Sequence, residues 1–151
     1  MGNAHDVAAY ILTKTGPLSA MKLQKLCYYS QAWSLVWDEQ PLFDERIEAW
    51  ANGPVVRALY AQHRGQFTIH NWPSGDPTQL SPDQKATIDA VIDAYAKLTA
   101  QQLSDLTHSE RPWNDARDGI PPTERSEAEI TPESMQSFYA SLASRNDTES
   151  V

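Results

Sequence analysis

Residues 106–117, LTHSERPWNDAR, place a histidine, a serine and a glutamate side by side, and acid–base and nucleophilic catalysis use these side chains. On a helix, neighbours one or two positions apart point in different directions. Ser109 therefore cannot be the catalytic partner of His108, and Glu110 does not face the imidazole. We expect no enzymatic activity. A hydrolase or transferase that uses His108 and Glu110 would have to borrow further residues from elsewhere in the fold.

A structural role fits the same segment better. We expect Pro112 to force Arg111 out of helical geometry, because a proline ring clashes with a helical residue before it. His108 or Thr107 would then bond the freed backbone groups, and Trp113 would fill the junction. The segment is therefore predicted to be a hinge between helices. The alternative is an exposed recognition patch formed by His108, Glu110 and Trp113.

Signatures of metal and nucleotide sites are missing from the sequence. The four histidines are scattered and no HExxH motif occurs. Glycine-rich phosphate loops of the GxGxxG and GxxxxGK[ST] types are absent as well. Cys27 is the only cysteine, which excludes an intramolecular disulfide and agrees with a reducing compartment. We expect neither a metal ion nor another cofactor.

One set of aromatic side chains resembles a stacking platform for single-stranded nucleic acid: Tyr28, Tyr29, Trp33, Trp37 and Trp50. Such platforms carry rows of basic side chains, whereas only Lys22 and Lys25 are near this set in sequence. Packing in the core is therefore the favoured role for these rings.

Trp72 differs from the other aromatic residues because it lies in NWPSGDPTQL, residues 71–80, which has the composition of a loop. A large exposed aromatic side chain is a frequent anchor of protein interfaces. We expect Trp72 to be exposed. With Tyr29 and Trp33 it would line an apolar groove that a partner could occupy.

The negative charge is confined to the second half of the chain. Residues 1–65 carry six Lys/Arg and six Asp/Glu, whereas residues 66–151 carry six and fourteen, which accounts for the whole net charge of −8. Nucleic-acid binding needs a basic face, so we expect none. A basic partner protein would be attracted to this half. The alternative is a solvated acidic surface that keeps the protein soluble.

Hydrophobic periodicity and capping residues predict a mainly helical chain. The pattern SPDQ at 81–84, with a serine cap, a proline and a glutamine, predicts a helix start, and the helix that follows is the clearest amphipathic helix in the sequence. Alternation at 46–51 predicts a short strand, paired with 42–43 or with 67–69. The predicted helices cover 3–15, 19–37, 53–65, 81–98, 101–108 and a segment that begins at 131.

These elements predict a mainly α (α+β) fold: one compact helical domain of about five to six helices with a small two- or three-stranded β insertion. We assign residues 1–143 to the domain and residues 144–151 to a flexible C-terminal tail. The N-terminus lacks the features of a secretory signal, and no apolar run is long enough to span a membrane. We therefore expect a cytoplasmic protein without membrane contact.

Four segments, in this order, resemble the Panacea domain family of antitoxins, which includes SocA-like and phage-associated GepA-like proteins. They are LQKLCYYSQAW (23–33), PLFDERIEAWANGPVV (41–56), LTHSERPWNDAR (106–117) and ITPESMQSFY (130–139). The recurrent LTH.E.PW motif of the family maps onto Leu106, Thr107, His108, Glu110, Pro112 and Trp113.

The resemblance implies a small bacterial or prophage antitoxin that neutralises, by direct protein contact, a toxin encoded by the adjacent gene. It also implies an alternative, because SocA-like members act as adaptors that deliver their toxin to the ClpXP protease. We take six residues as candidates for partner binding: Tyr29, Trp33, Trp72, His108, Glu110 and Trp113. The resemblance names neither the toxin nor its binding surface.

Overall fold

The computed structural model describes residues 2–149, with side chains through residue 145. Its helices are α1 (Ala4–Thr15), α2 (Ala20–Trp37), α3 (Arg57–His63), α4 (Pro82–Tyr95), α5 (Ala100–His108), α6 (Arg111–Arg117) and α7 (Pro132–Glu149), with a 3-10 turn at Pro77–Gln79. Its strands are β1 (Leu18–Ser19), β2 (Ile47–Trp50), β3 (Gly53–Val56) and β4 (Thr68–Ile69). The predicted mainly α fold is confirmed, with seven helices and two small sheets in the described part of the chain.

The long helix α2 forms the centre of the fold. Helices α1, α4, α5 and α7 and strand β3 pack around it, and most of its side chains are buried. Ser19 caps its start by accepting a hydrogen bond from the Lys22 backbone N–H at 3.2 Å, as predicted. Because protein surrounds this helix, its sequence shows no continuous polar face.

Two buried glutamines of α2 bond the backbone of the segments that pass beside it. Gln31 Oε1 accepts from the Leu42 N–H at 2.7 Å, and Gln31 Nε2 donates to the Phe43 carbonyl at 2.8 Å. Gln24 makes the same pair of bonds with Val56. Its Oε1 accepts from the Val56 N–H at 2.8 Å, and its Nε2 donates to the Val56 carbonyl at 3.2 Å. These bonds satisfy backbone groups that burial would otherwise leave unpaired.

A β-hairpin follows the loop after α2. Strand β2 covers most of the strand predicted at 46–51 and pairs antiparallel with β3 across the short turn Ala51–Asn52. The two predicted partners, 42–43 and 67–69, are therefore wrong. Strand β4, which lies within the second of these segments, pairs with β1 instead. A two-residue turn brings the next strand back at a small entropic cost, which favours the local partner.

The third helix begins later than the sequence predicts. Gly53 and Pro54 have the pattern of a first helical turn, but α3 begins at Arg57. Gly53 has a φ of 120°, which lies outside the helical region and which glycine tolerates best. Gln24 holds the Val56 backbone on the strand. The hairpin thus overrides a local signal for a helix start.

The remaining helices follow their capping signals. Asn3 and Asp6 exchange side-chain to backbone hydrogen bonds of 3.0 and 2.9 Å at the start of α1. Ser81 and Gln84 do the same at the start of α4, which confirms the predicted capping box. None of the helices in residues 2–149 combines the length and the apolarity that a bilayer crossing requires.

The last helix, α7, starts at Pro132 as predicted and continues to Glu149. The tail predicted at 144–151 therefore begins within a helix. Its final two residues, 150 and 151, lie outside the described residues, and the flexibility of the tail stays a prediction.

Candidate functional site

The segment LTHSERPW forms the end of α5, a two-residue break and the start of α6. The predicted break between two helices is present, but it lies at residues 109–110 and not at Arg111, which is already the first residue of α6. Pro112 is tolerated in the first helical turn, where its missing N–H leaves no bond unmade. Asn114 Nδ2 donates to the carbonyls of His108 at 2.8 Å and Glu110 at 2.9 Å. Asn114 thus bonds the carbonyls at the break, while Thr107, one of the two residues predicted for this role, donates its Oγ1 hydrogen to the Ser104 carbonyl at 2.7 Å within α5.

Trp113 fills the junction between α5, α6 and the hairpin, as predicted. The His108 and Trp113 rings stack with centroids 4.1 Å apart, and the Arg117 guanidinium lies 4.7 Å from the Trp113 ring on the same helix. Trp113 Nε1 donates to the carbonyl of Trp50 at 2.8 Å. The tryptophan therefore attaches the hinge to the hairpin through both stacking and a hydrogen bond.

Arg117, to which the sequence analysis assigns no role, is almost fully buried. Its two terminal nitrogens donate to three backbone carbonyls, those of Ala49, Pro121 and Glu124. The fan of donors on a guanidinium suits such a task. Arg117 therefore fixes the loop after α6 against β2, and only its position before a turn hints at this in the sequence.

The Glu110 carboxylate is enclosed by tyrosines. Its Oε1 accepts from Tyr29 OH at 2.7 Å and from Tyr139 OH at 2.9 Å, while the hydroxyls of Tyr139 and Tyr28 lie 3.0 Å apart. Burial raises the pKa of Glu110, and the two tyrosine hydrogen bonds oppose that shift. We call Glu110, Tyr28, Tyr29 and Tyr139 the carboxylate cluster. It joins α2, the hinge and α7 in the interior.

The structure separates the two residues of the enzymatic alternative. Glu110 Oε1 bonds tyrosines, whereas His108 stacks on Trp113 and its buried Nε2 has no hydrogen-bond partner within the described chain. Burial and the nearby Lys25 ammonium lower the pKa of His108. A neutral imidazole packed between a ring and the hairpin suits a structural role. Within the described residues, no nucleophilic or acidic side chain hydrogen-bonds to the His108 ring.

A second buried charge lies one helical turn before Tyr29. Lys25 is 1% exposed, and its Nζ donates to the Pro54 carbonyl at 3.3 Å. Burial lowers the pKa of Lys25 to about 8. The hairpin rests directly on this side chain, because a Cβ at Gly53 would lie 2.5 Å from Lys25 Cε and 3.0 Å from Thr107 Oγ1. Glycine is therefore required there both for space and for its φ of 120°.

A cavity of about 260 Å³ opens beside Lys25, between the start of α2, the hairpin, α3 and residues 125–127. Aromatic rings form one wall, with the centroids of Trp50 and Tyr60 4.7 Å apart and those of Tyr60 and His63 5.4 Å apart. His63 Nε2 lies 2.9 Å from Gln24 Nε2, and burial lowers the pKa of His63, so the ring is a neutral acceptor. We call this space the lysine cavity.

Five of the six predicted partner-binding residues are buried: Tyr29, Trp33, Trp72, Glu110 and Trp113. The prediction that Trp72 is exposed is wrong, since it is 7% exposed and its Nε1 donates to His5 Nδ1 at 3.1 Å. The polar loop around Trp72 folds back over α1, and this long-range contact has no signature in the local composition.

The predicted apolar groove of Tyr29, Trp33 and Trp72 is also wrong. Tyr29 and Trp33 pack against Tyr139, whereas Trp72 lies near His5 and His63. Tyr29 has no exposed surface and therefore cannot line a groove.

Core packing is confirmed for most of the aromatic set on α2, but Trp37 is 49% exposed and stacks on Trp33 with a centroid distance of 4.9 Å. Phe67, which the sequence analysis does not select, is 83% exposed. Both residues adjoin turns, and this is the signal that could have identified them. They are the clearest apolar contact points on the described surface.

A family comparison supports the resemblance carried by the sequence motifs. The family model described as Antitoxin SocA-like, Panacea domain, matches residues 23–114, which is more than half of the chain. This span contains Lys25, the hairpin and the hinge with Glu110. No curated protein and no solved structure matches the chain.

Proposed function

Because this chain belongs to the SocA-like, Panacea-domain antitoxin family, we propose that it neutralises a protein toxin by direct contact. The observation that carries the proposal is the family match over residues 23–114. The expected toxin is the product of an adjacent bacterial or prophage gene. The expected site of action is the cytoplasm.

The positions of the family motifs support a binding scaffold rather than an active site. The segments around Tyr29, Gly53 and Glu110 meet inside the protein, where their polar groups bond one another or the backbone. A motif that fixes the fold can be shared by antitoxins whose outer surfaces differ. We propose that the buried motif residues position the toxin-binding surface and that exposed residues contact the toxin.

Two surface features are candidates for that contact. Trp37 and Phe67 expose apolar area that the fold leaves uncovered. The acidic second half of the chain would attract a basic toxin. If charge drives association, the complex should weaken as salt rises, because exposed charge pairs are screened beyond about 10 Å at 0.1 M salt. An association that is insensitive to salt would place the contact on the apolar residues instead.

The decisive experiment is co-expression of the full chain with the product of the adjacent gene. Growth rescue together with co-purification of the two proteins would support neutralisation by binding. The same strains without ClpXP test the adaptor alternative, in which rescue and a shortened toxin half-life require the protease. Failure of rescue in both strains, with the chain folded and expressed, would overturn the proposed antitoxin role for that gene pair.

Two single-residue variants test whether the exposed apolar side chains contact the toxin. Phe67→Ala removes exposed apolar area with little effect on the core, whereas Trp37→Ala also removes the ring that stacks on Trp33. Loss of co-purification in either variant, with the variant shown to be folded at the assay temperature, would locate the toxin contact. Retention in both variants would favour the acidic surface.

A further inference from the structure

A cavity of about 740 Å³ opens between α6 and α7, two helices that pack against each other. We propose that this space, which we call the arginine cleft, binds a small organic phosphate whose phosphate group is held by the guanidinium groups of Arg111 and Arg145. The site lies beyond the proposed toxin contact and does not depend on it. Its charges, its hydroxyl groups and its size support the proposal.

Two exposed cations from different helices line the arginine cleft. Arg111 is the first residue of α6, and Arg145 lies in the second half of α7. Among the described side chains, no carboxylate lies within 4 Å of either guanidinium. Asp115 also lines the cleft one helical turn after Arg111, a spacing at which ion pairs form, yet the two are not paired. Both guanidinium groups are therefore open to an anion that enters the cleft.

The α7 wall of the cleft carries three serines. Ser134, Ser137 and Ser141 are spaced by three and four residues, so they lie on one face of the helix. Their hydroxyl groups have no hydrogen-bond partner in the part of the chain with described side chains. Arg145 follows Ser141 by one turn, and helical side chains point toward the start of their helix, so its guanidinium extends toward these hydroxyls. The cleft thus adds neutral donors to its two cations.

This set of donors fits a phosphate better than a carboxylate. A phosphate monoester has three terminal oxygens in a tetrahedral arrangement and can accept from several directions, whereas one guanidinium fork satisfies the two oxygens of a planar carboxylate. Two guanidinium groups from opposite helices and a row of hydroxyls surround the space. Glycine-rich phosphate loops are absent from the sequence, so the donors would be side chains.

The remaining wall and the size of the cleft fit an organic group. Phe138 is half-buried in the wall, and its ring meets the Tyr139 ring at 87° with centroids 4.9 Å apart, which holds it in place. The volume of about 740 Å³ falls within the roughly 300–1,000 Å³ of small-molecule sites. A phosphate ion alone would leave most of this space empty, whereas an aromatic phosphate would also contact Phe138.

The test is calorimetric titration and thermal unfolding of the full chain, in a phosphate-free buffer of low salt, with phenyl phosphate, adenosine 5′-monophosphate and inorganic phosphate. Phenol and adenosine are the matched ligands without a phosphate, and benzoate is the planar anion. We expect phenyl phosphate or adenosine monophosphate to bind saturably and to raise Tm, because the cleft exists only in the folded chain. Its affinity should exceed that of its matched ligand and of benzoate by about tenfold or more.

Two results in the unmodified protein would overturn the proposal. If neither organic phosphate binds more tightly than its matched ligand, the arginines do not hold a phosphate. If inorganic phosphate binds as tightly as the organic phosphates, the cleft does not recognise an organic group. These comparisons decide the proposal even if a variant fails to fold.

Variants locate the binding. Arg111→Gln and Arg145→Gln should each weaken the organic phosphate by about tenfold. Arg64→Gln is the matched control, since it changes the net charge equally but removes an exposed arginine at the end of α3, outside the cleft, and should change affinity by less than about twofold. Asp115→Asn removes the one carboxylate of the cleft and should tighten binding. Circular dichroism establishes that each variant is folded. Equal losses in Arg64→Gln and in the cleft variants would contradict the assignment to this site.

Discussion

The carboxylate cluster and the region of the lysine cavity each bury one charged side chain beside α2, but the two charges differ in how fully hydrogen bonds compensate them. Glu110 is 6% exposed, and its Oε1 accepts tyrosine hydroxyls at 2.7 and 2.9 Å. Lys25 has one long contact at 3.3 Å and an open space beside it. The first arrangement holds three elements of the scaffold together. The second costs stability, because a single carbonyl compensates the buried ammonium only in part.

The largest effect on stability should come from removing the carboxylate at the centre of the carboxylate cluster. Glu110→Ala leaves the hydroxyls of Tyr29 and Tyr139 without their acceptor in the interior, so we expect a loss of about 3–5 kcal/mol in the free energy of unfolding. Urea denaturation measures this loss. Glu110→Gln is the matched control, because its amide oxygen still accepts both bonds, and it should cost less than about 1 kcal/mol.

The two variants also separate charge from hydrogen bonding. Burial raises the pKa of Glu110, so its contribution to stability is fully present below the unfolded pKa and is lost as pH rises through the folded pKa. Glu110→Gln should therefore remove a decline in stability above the ordinary carboxyl range. Equal stability of Glu110→Ala and Glu110→Gln would show that the cluster does not depend on an acceptor.

A second prediction concerns how the hairpin rests on Lys25. Gly53→Ala places a Cβ 2.5 Å from Lys25 Cε on a backbone with φ of 120°, and we expect a loss of about 3 kcal/mol. Gly16→Ala is the control, since Gly16 has a φ of 78° but nothing within 4 Å of the added Cβ. It should lose only about 1 kcal/mol through backbone strain.

The steric part of that loss can be isolated by a double-mutant cycle. Lys25→Ala removes Cε, so Gly53→Ala should cost less in that background than in the unmodified chain. If the two substitutions are additive, the close contact between the hairpin and Lys25 does not determine the effect.

A third prediction uses the lowered pKa of Lys25. Below pH 8 both the folded and the unfolded chain hold the proton, and the folded chain bears the full penalty of a buried cation. Between about 8 and the ordinary lysine value of about 10.4 the unfolded chain binds more protons, so stability should rise with pH. The expected rise is on the order of 2–3 kcal/mol.

Lys25→Met is the reference for that measurement. Burial raises the pKa values of Cys27 and Tyr28, which also affect stability at high pH, but both proteins share these groups. The difference between the two stability curves therefore reports Lys25 alone. We expect Lys25→Met to be the more stable protein at pH 7 and the advantage to shrink toward pH 10. A constant difference across this range would contradict a buried ammonium.

The fold and the carboxylate cluster differ in how much of each the sequence predicts. Caps at Asn3, Ser19 and Ser81 and the 3.6-residue periodicity predict the helices, because both signals are local. The carboxylate cluster depends on Tyr29, Glu110 and Tyr139, which are far apart in sequence and meet only through tertiary packing. No local pattern announces such a contact. The segments that resemble the family contain these three residues, but the resemblance does not predict that their side chains meet.

The errors have the same physical origin. Trp72 lies in a polar loop, and the loop folds against His5 through a bond that spans 67 positions. Gly53 and Pro54 carry a signal for a helix start, and Gln24 of a distant helix fixes the following backbone as a strand. In both cases a long-range partner overrides a local preference. The lysine cavity escapes sequence analysis for this reason, because its walls come from four separate segments.

The smallest predicted effect on stability comes from removing one tyrosine hydroxyl in the carboxylate cluster or one in the wall of the lysine cavity. Tyr29→Phe removes a 2.7 Å bond to a buried carboxylate, and we expect a loss of about 1.5–2 kcal/mol in the free energy of unfolding. Tyr60, in the wall of the lysine cavity, is a half-buried residue whose hydroxyl makes no side-chain hydrogen bond in the described chain, so Tyr60→Phe should change stability by less than about 0.5 kcal/mol. Urea denaturation of both variants measures the contrast. Equal losses would mean that the cavity wall, like the cluster, is held together by polar contacts, and the two regions would then not differ in the way that the contacts indicate.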